Sequence, residues 1–194
     1  MANNQERRIS DVILVPSLKK LYEKDYFNIR NGVSERNICA RLAFQMENIM
    51  REKQEFIGYY ADVEYNRRND GGEKCSEGDT KPIRMVSDLI IHRRDENRNL
   101  LAVEMKRWKN YDKRKDDIKR LKAVVSSPKP EFRKDNCVYD TKLGAFIKYS
   151  PQKVEMEFYA GINGEGQRIG IMILEYRMNS CGVYSLEVIY DKWL

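Results

Sequence analysis

Two carboxylates and one lysine stand at a spacing that could do chemistry. Asp88 and Glu104 each lie eight residues from Glu96, the middle of the polar turn DENRN (95–99), which separates two apolar runs. If those runs pair as an antiparallel hairpin about the turn, Asp88 and Glu104 face each other. Directly opposed residues point to the same side of a sheet, about 4.5–5.5 Å apart at Cβ. Lys106, two positions beyond Glu104 on the same strand, shares that side. Leu89, Ile91, Leu101, Val103 and Met105 then occupy the other side. The register is conditional, since a one-residue bulge moves every side chain to the opposite face.

Two adjacent carboxylates repel unless a cation lies between them. Oxygen ligands suit a hard ion such as magnesium or manganese. A lysine beside such an ion can have its pKa lowered, and can orient or deprotonate a water. The ion polarises a phosphoryl oxygen and makes bound water a stronger nucleophile. These parts suffice for hydrolysis of a phosphodiester.

The elements that must position these residues are legible in part. Residues 1–33 read as an N-terminal lead-in, with Leu14, Leu18, Leu21 and Tyr22 at the spacing of a short helix. Ser34 can cap a helix whose first position is Glu35, where the helix dipole favours a carboxylate. Ile38, Leu42, Met46, Ile49 and Met50 then form one apolar stripe. FIGYYADVEYNRR (56–68) alternates as a strand, and the polar, glycine-rich stretch 69–81 reads as a mobile loop. Strands are expected over 83–94 and 100–106, and a helix over 112–125, where Ile118, Leu121 and Val125 recur at helical spacing. SSPKP (126–130) ends that helix. A further strand covers 143–150, and three β-like runs fill the tail. This order predicts an α/β fold, a mixed sheet flanked by helices.

The bulk numbers agree with one domain of 194 residues. Charged residues make up 34% and the net charge is +6, which is compatible with a polyanionic partner. Cys39, Cys75, Cys137 and Cys181 are widely spaced and only one histidine, His92, is present, so a zinc site is not expected and the cysteines read as reduced. No apolar run approaches the ~20 residues of a membrane span. The first residues lack the order of a signal peptide, and the expected compartment is the cytoplasm.

SDLIIHRR (87–94) and NLLAVEMK (99–106) resemble the PD-(D/E)xK signature of restriction-endonuclease-like nucleases. SERNICARLAFQME (34–47), DVEYNR (62–67) and DDIKRL (116–121) accompany it in the order and at the spacing of a bacterial group of that superfamily. The resemblance covers roughly residues 34–150. It implies a restriction-endonuclease-like core over 34–150, with a C-terminal β-rich extension (151–194) packed on it. It further implies a Mg²⁺- or Mn²⁺-dependent nuclease, with Asp88 and Glu104 as metal ligands and Lys106 assisting the attacking water. Glu35 matches the first-helix glutamate that often completes such sites. Ser87 stands where the signature has proline, a residue that only shapes the backbone there.

Glu64 is a further candidate to support the site. His92 reads as a packed or exposed strand residue; Asp116, Asp117 and Lys119 either support the site or are helix surface charges, and the surface reading is favoured. Segment 106–122 holds nine Lys or Arg against three Asp. It reads as a phosphate-contacting stretch beside the site, with Arg107, Lys109, Lys113 and Arg114 as the contacts and Trp108 and Tyr111 available to stack on bases. The expected partner is nucleic acid, DNA before RNA. The alternative is a silent binding or assembly subunit that keeps the fold. Nucleases that cut both strands often pair, so a homodimer is one expectation for the assembly.

Overall fold

The computed structural model describes residues 4–64, 75–77, 82–84, 87–94, 96, 98–109, 114–126 and 140–194. Lys113, Tyr111, Tyr65, Asn66, Cys137 and most of the 69–81 loop and the 126–130 helix stop lie outside them.

The N-terminal segment is more than a lead-in. Helix α1 (Asn4–Ile9), a π-helical stretch (Ser10–Leu14) and helix α2 (Val15–Asn31) follow one another without a break. Pro16 supplies the physical reason for the wide turn. It has no N–H to return to the carbonyl four residues back, so the ladder opens just ahead of it. The extra residue shifts the helical phase, and Ile9, Ile13, Leu14, Leu18, Leu21, Tyr22 and Ile29 all become buried. A second break falls at Asp25 (φ −122°), whose carboxylate accepts a hydrogen bond from Arg41 Nε at 2.8 Å. Gly32 ends α2 in the left-handed conformation.

Helix α3 (Glu35–Arg51) begins at Ser34, whose Oγ accepts from the Asn37 amide. Its Ile38, Leu42, Met46 and Met50 are buried as the stripe requires. Strand β1 is shorter than the sequence pattern, Tyr60–Val63, because Gln54–Phe56 form a 3₁₀ turn and Glu64 takes a positive φ of 52°. The run 83–94 is two strands. β3 (Pro82–Arg84) pairs with β2 (Cys75–Glu77), and β4 (Leu89–His92) joins the main sheet. The expected loop 69–81 thus contains a strand.

β5 (Arg98–Arg107), helix α4 (Arg114–Val125), β6 (Asp140–Tyr149), β7 (Lys153–Ile162), β8 (Glu165–Met178) and β9 (Tyr184–Trp193) complete the chain. Together they give a mixed α/β architecture. One seven-stranded sheet runs in the order β1-β4-β5-β6-β7-β8-β9, and the C-terminal strands extend that same sheet. β5 and β6 are parallel, with α4 between them in the chain, and the other neighbours are antiparallel.

The sheet has two distinct faces. Leu89, Ile91, Leu101, Val103 and Met105 join α1–α3 in the main core. Full burial of each such side chain contributes roughly 1.5–3 kcal/mol. Ala102, Phe146 and Tyr159 point the other way and pack on Leu121, Val124 and Val125 of α4. Helix α4 sits very close to the C-terminal strands. A Cβ on Gly166 would lie 2.1 Å from the Lys122 carbonyl oxygen, and one on Gly161 would lie 2.5 Å from that of Val125. The Gly166 amide also donates to Ser126 Oγ at 2.8 Å. Among the described residues no helix is long and apolar enough to cross a membrane.

Candidate active site

The β4–β5 hairpin carries the expected register. Leu89 pairs with Val103, Ile90 with Ala102 and Ile91 with Leu101, which aligns Asp88 with Glu104. Closer to the turn His92 pairs with Asn99, so a bulge separates the two stretches. The bulge lies between the turn and the carboxylates and helps to set their alignment.

Lys106 is the centre of the cluster. Its side chain is 15% exposed, and Nζ lies 3.6 Å from Asp117 Oδ2, 3.7 Å from Glu35 Oε2 and 3.9 Å from Asp88 Oδ2. Three carboxylates from three elements thus surround one ammonium. Backbone groups fix two of them. The Met105 amide donates to Asp88 Oδ2 at 2.7 Å, and the Arg107 amide donates to Glu35 Oε1 at 2.9 Å. Burial alone would pull the Lys106 pKa down, but the carboxylates outweigh it and hold it above its ordinary value. Lys106 is therefore a cation in this arrangement, suited to orienting and electrostatic work.

Glu104 is fully buried. Arg120 of α4 donates from Nε to Oε1 at 3.1 Å and from Nη2 to Oε2 at 3.0 Å. The same Nη2 donates to Asp117 Oδ1. Burial pushes the Glu104 carboxyl up, with the Asp88 and Asp117 charges adding to it, and the Arg120 hydrogen bonds oppose the rise. Asp88 is likewise raised by burial, against the Met105 amide. Asp117 Oδ2 is buried and has no hydrogen-bond partner among the described residues.

The donor set suits a hard cation. Asp88, Glu104 and Asp117 offer carboxylate oxygens, and Asp117 Oδ2, ion-paired with Lys106 at 3.6 Å but without a hydrogen bond, is a buried acceptor that a metal ion or its bound water could take up. Among the described residues no three acidic, histidine or cysteine side chains are arranged to hold an ion as they stand. Lys106 and Arg120 occupy the space between the carboxylates, so an ion would have to share Glu104 with Arg120.

The remaining candidates separate. Glu64 is exposed, its carboxylate pairs with Arg36 at 2.7 Å, and its backbone amide donates to the Asp88 carbonyl. The Arg107 guanidinium lies against Gly32, within 2.0 Å of where a Cβ would stand there. Lys109 is exposed. Arg114 is held by Glu157 and lies over the Phe146 ring, facing the C-terminal strands. Lys113 is outside the described residues. His92 is buried against Asp62, Nε2 to Oδ2 at 2.9 Å, and Arg94 donates to the same carboxylate from Nε and Nη2. Cys39 and Cys181 are free thiols.

Arg120 is the residue that sequence reasoning missed, and Asp117 the one it ranked too low. Asp117, for which the surface reading was favoured over a supporting one, is 3% exposed. A signal was present. Residues 117, 120, 121 and 124 share one helical face, so the apolar face of Leu121 and Val124 extends back to both charged residues. Asp116 and Lys119 fall off that face and are exposed.

A scan against protein-family models returns no match for the chain, and a search of curated proteins returns none either.

Proposed function

We propose that the protein is a metal-dependent phosphodiesterase acting on nucleic acid, with DNA the favoured substrate. The observation that supports this reading is the set of carboxylates converging on Lys106 from α3, the β4 start and α4, with Glu104 beside them on β5. Four elements place charged groups at one point, and burial of like charges at this cost is characteristic of functional sites. With the separate β2–β3 pair set aside, the main-sheet order α3, β1, β4, β5, α4, β6 is compatible with the helix–strand–strand–strand–helix–strand sequence that the signature implies.

In this reading Asp88, Glu104 and Asp117 hold the ion. When bound, the ion would polarise the phosphoryl oxygen and activate water. Lys106 orients the attacking water and offsets charge that builds on the phosphate. Glu35, anchored by the Arg107 amide, fixes the Lys106 ammonium from the opposite side. The test is cleavage of single- and double-stranded DNA and RNA with magnesium, manganese or chelator. Metal-dependent cleavage that Lys106→Ala abolishes supports the reading, and no cleavage of any substrate under any metal condition counts against it.

One observation favours a second reading. Arg120 satisfies both oxygens of Glu104 without any ion. A charge network closed within the protein is what a silent nucleic-acid-binding subunit with this fold would carry. Salt-sensitive binding without cleavage, equal in the native protein and Lys106→Ala, supports that reading.

A further inference from the structure

Immediately past Lys106 the surface changes character. Arg107, Trp108 and Lys109 at the end of β5 face the β6–β7 turn, with Pro151, Gln152 and Lys153, across a pocket of about 340 Å³. The Trp108 side is partly open, the residue being 40% exposed. Lys148 Nζ lies 3.2 Å from the centroid of its ring and Lys153 Nζ lies 5.9 Å from it. Glu155 pairs with both lysines, at 3.5 and 3.0 Å. Two lysine side chains thus lie by a partly exposed indole, with one carboxylate paired to both, and Arg107 and Lys109 line the same pocket.

The opposite wall is fixed in advance. Ser150 Oγ accepts from the Gln152 and Lys153 amides, the Tyr176 amide donates to the Gln152 carbonyl, and the buried Tyr22 hydroxyl donates to the Ser150 carbonyl at 2.5 Å. A wall held this way loses little freedom when a ligand enters.

We propose that this pocket receives one unpaired base of a single-stranded nucleic acid, stacked on the part of the Trp108 ring that the Lys148 ammonium leaves open, with the neighbouring phosphates on Lys109 and Lys153. The choice of nucleic acid rests on the function proposed above. The volume falls at the lower end of small-ligand pockets, which suits one nucleotide. An aromatic platform set among cations is the means by which proteins hold unpaired bases without reading their sequence. A duplex keeps its bases stacked on one another, so only a single strand or a frayed end offers a base to Trp108. The pocket follows Lys106 by two residues, so a strand anchored in it passes directly beside the carboxylate cluster.

The intact protein is titrated in chelator, which separates binding from hydrolysis. The probes are a fluorescein-labelled single-stranded oligothymidylate, the blunt duplex of the same length, and thymidine monophosphate as a competitor. Anisotropy and tryptophan quenching are read together. The other tryptophan, Trp193, is stacked on Phe158 at 4.6 Å, so loss of the quench in Trp108→Phe assigns it to Trp108. The oligothymidylate is expected to bind more tightly than the duplex or the monophosphate. Trp108→Ala weakens it by roughly tenfold or more, whereas Trp108→Phe keeps most of the affinity. Lys153→Gln lowers the slope of log affinity against log salt by about 0.7. The proposal is overturned by unchanged affinity in Trp108→Ala, by a duplex that binds as tightly as the single strand, by a monophosphate as tight as the strand, or by no binding at all. Its failure is distinct from failure of the nuclease reading. Metal-dependent cleavage with a Trp108→Ala protein that binds normally removes the pocket and keeps the enzyme. Trp108-dependent binding by a protein that cuts nothing keeps the pocket and removes the enzyme.

Discussion

Arg120 grips both carboxylate oxygens of Glu104, a side chain with no exposed surface, and reaches Asp117 with the same nitrogen. Removing one partner of a buried pair leaves the other charge without compensation. Arg120→Met is expected to cost about 3 kcal/mol, somewhat less than a fully buried pair because its side chain is 31% exposed. Magnesium should return part of that loss if Glu104 and Asp117 bind it, since a ligand that binds only the folded state stabilises it. Thermal melting with and without magnesium reads both effects. A variant that melts like the native protein would show the clamp to be energetically idle.

Asp117 is predicted to matter as much as its exposure is small. Asp117→Asn keeps the shape and removes one charge from the shell around Lys106. On the proposed function, cleavage and magnesium affinity should each fall about 10- to 100-fold. The exposed neighbour Asp116→Asn should leave both unchanged. Single-turnover cleavage and calorimetric magnesium titration measure the two, and equal behaviour of the pair would remove Asp117 from the site.

Asp62 gives the acid limb of stability. Burial opposes its charge, but hydrogen bonds from His92 and Arg94 outweigh it and hold the carboxyl well below its ordinary value of 3.8. A carboxyl depressed in the folded state contributes stability above the unfolded pKa, and that contribution is lost as pH falls. The native protein should therefore lose melting temperature more steeply than Asp62→Asn from about pH 5 downwards. At neutral pH the variant should be less stable by about 2 kcal/mol. Parallel acid limbs in the two proteins would contradict this assignment.

Gly166→Ala tests how α4 is seated. The added Cβ meets the Lys122 carbonyl, a backbone atom that cannot swing aside, so helix and strand must separate. A loss of about 1–3 kcal/mol is expected. If the proposed cleavage is the function, it should fall as well, because the displaced helix carries Asp117 and Arg120. Glu165→Ala, an exposed change next to it, should stay within about 0.5 kcal/mol of the native protein. Equal melting curves for the two variants would mean that β8 does not set the helix position.

Part of the frame was legible in the sequence because it rests on local period. The Ser34 cap and the α3 stripe follow from short-range patterns, whereas Asp88 and Glu104 align through a bulge between Ile91 and His92 rather than through the regular, turn-centred register that the spacing suggested. Legibility failed where the pattern changes phase. Pro16 and the π turn shift the apolar positions of the first helix, so one long core element read as a short one. Glu64 left its strand's alternation through a positive φ that no residue type announces. Asp117 and Arg120 were hidden for a different reason. Charged residues on a helix are solvated by default, and only the packing of α4 on the sheet buries this pair. The β6–β7 turn opposite Trp108 lies more than forty residues away in the chain, beyond the reach of any local pattern.

The close seating of α4 on Gly161 and Gly166 has a consequence for portability. The hairpin 87–106 could be grafted onto another scaffold with its register intact, and it would carry Asp88, Glu104 and Lys106 with it. It would arrive without the helix that neutralises Glu104, and without the glycine-bearing strands that set that helix's distance from the sheet. The spacing between α4 and the hairpin is gauged by β7 and β8, so trimming the chain after residue 150 should leave Asp88, Glu104 and Lys106 in place and Arg120 and Asp117 out of alignment with them.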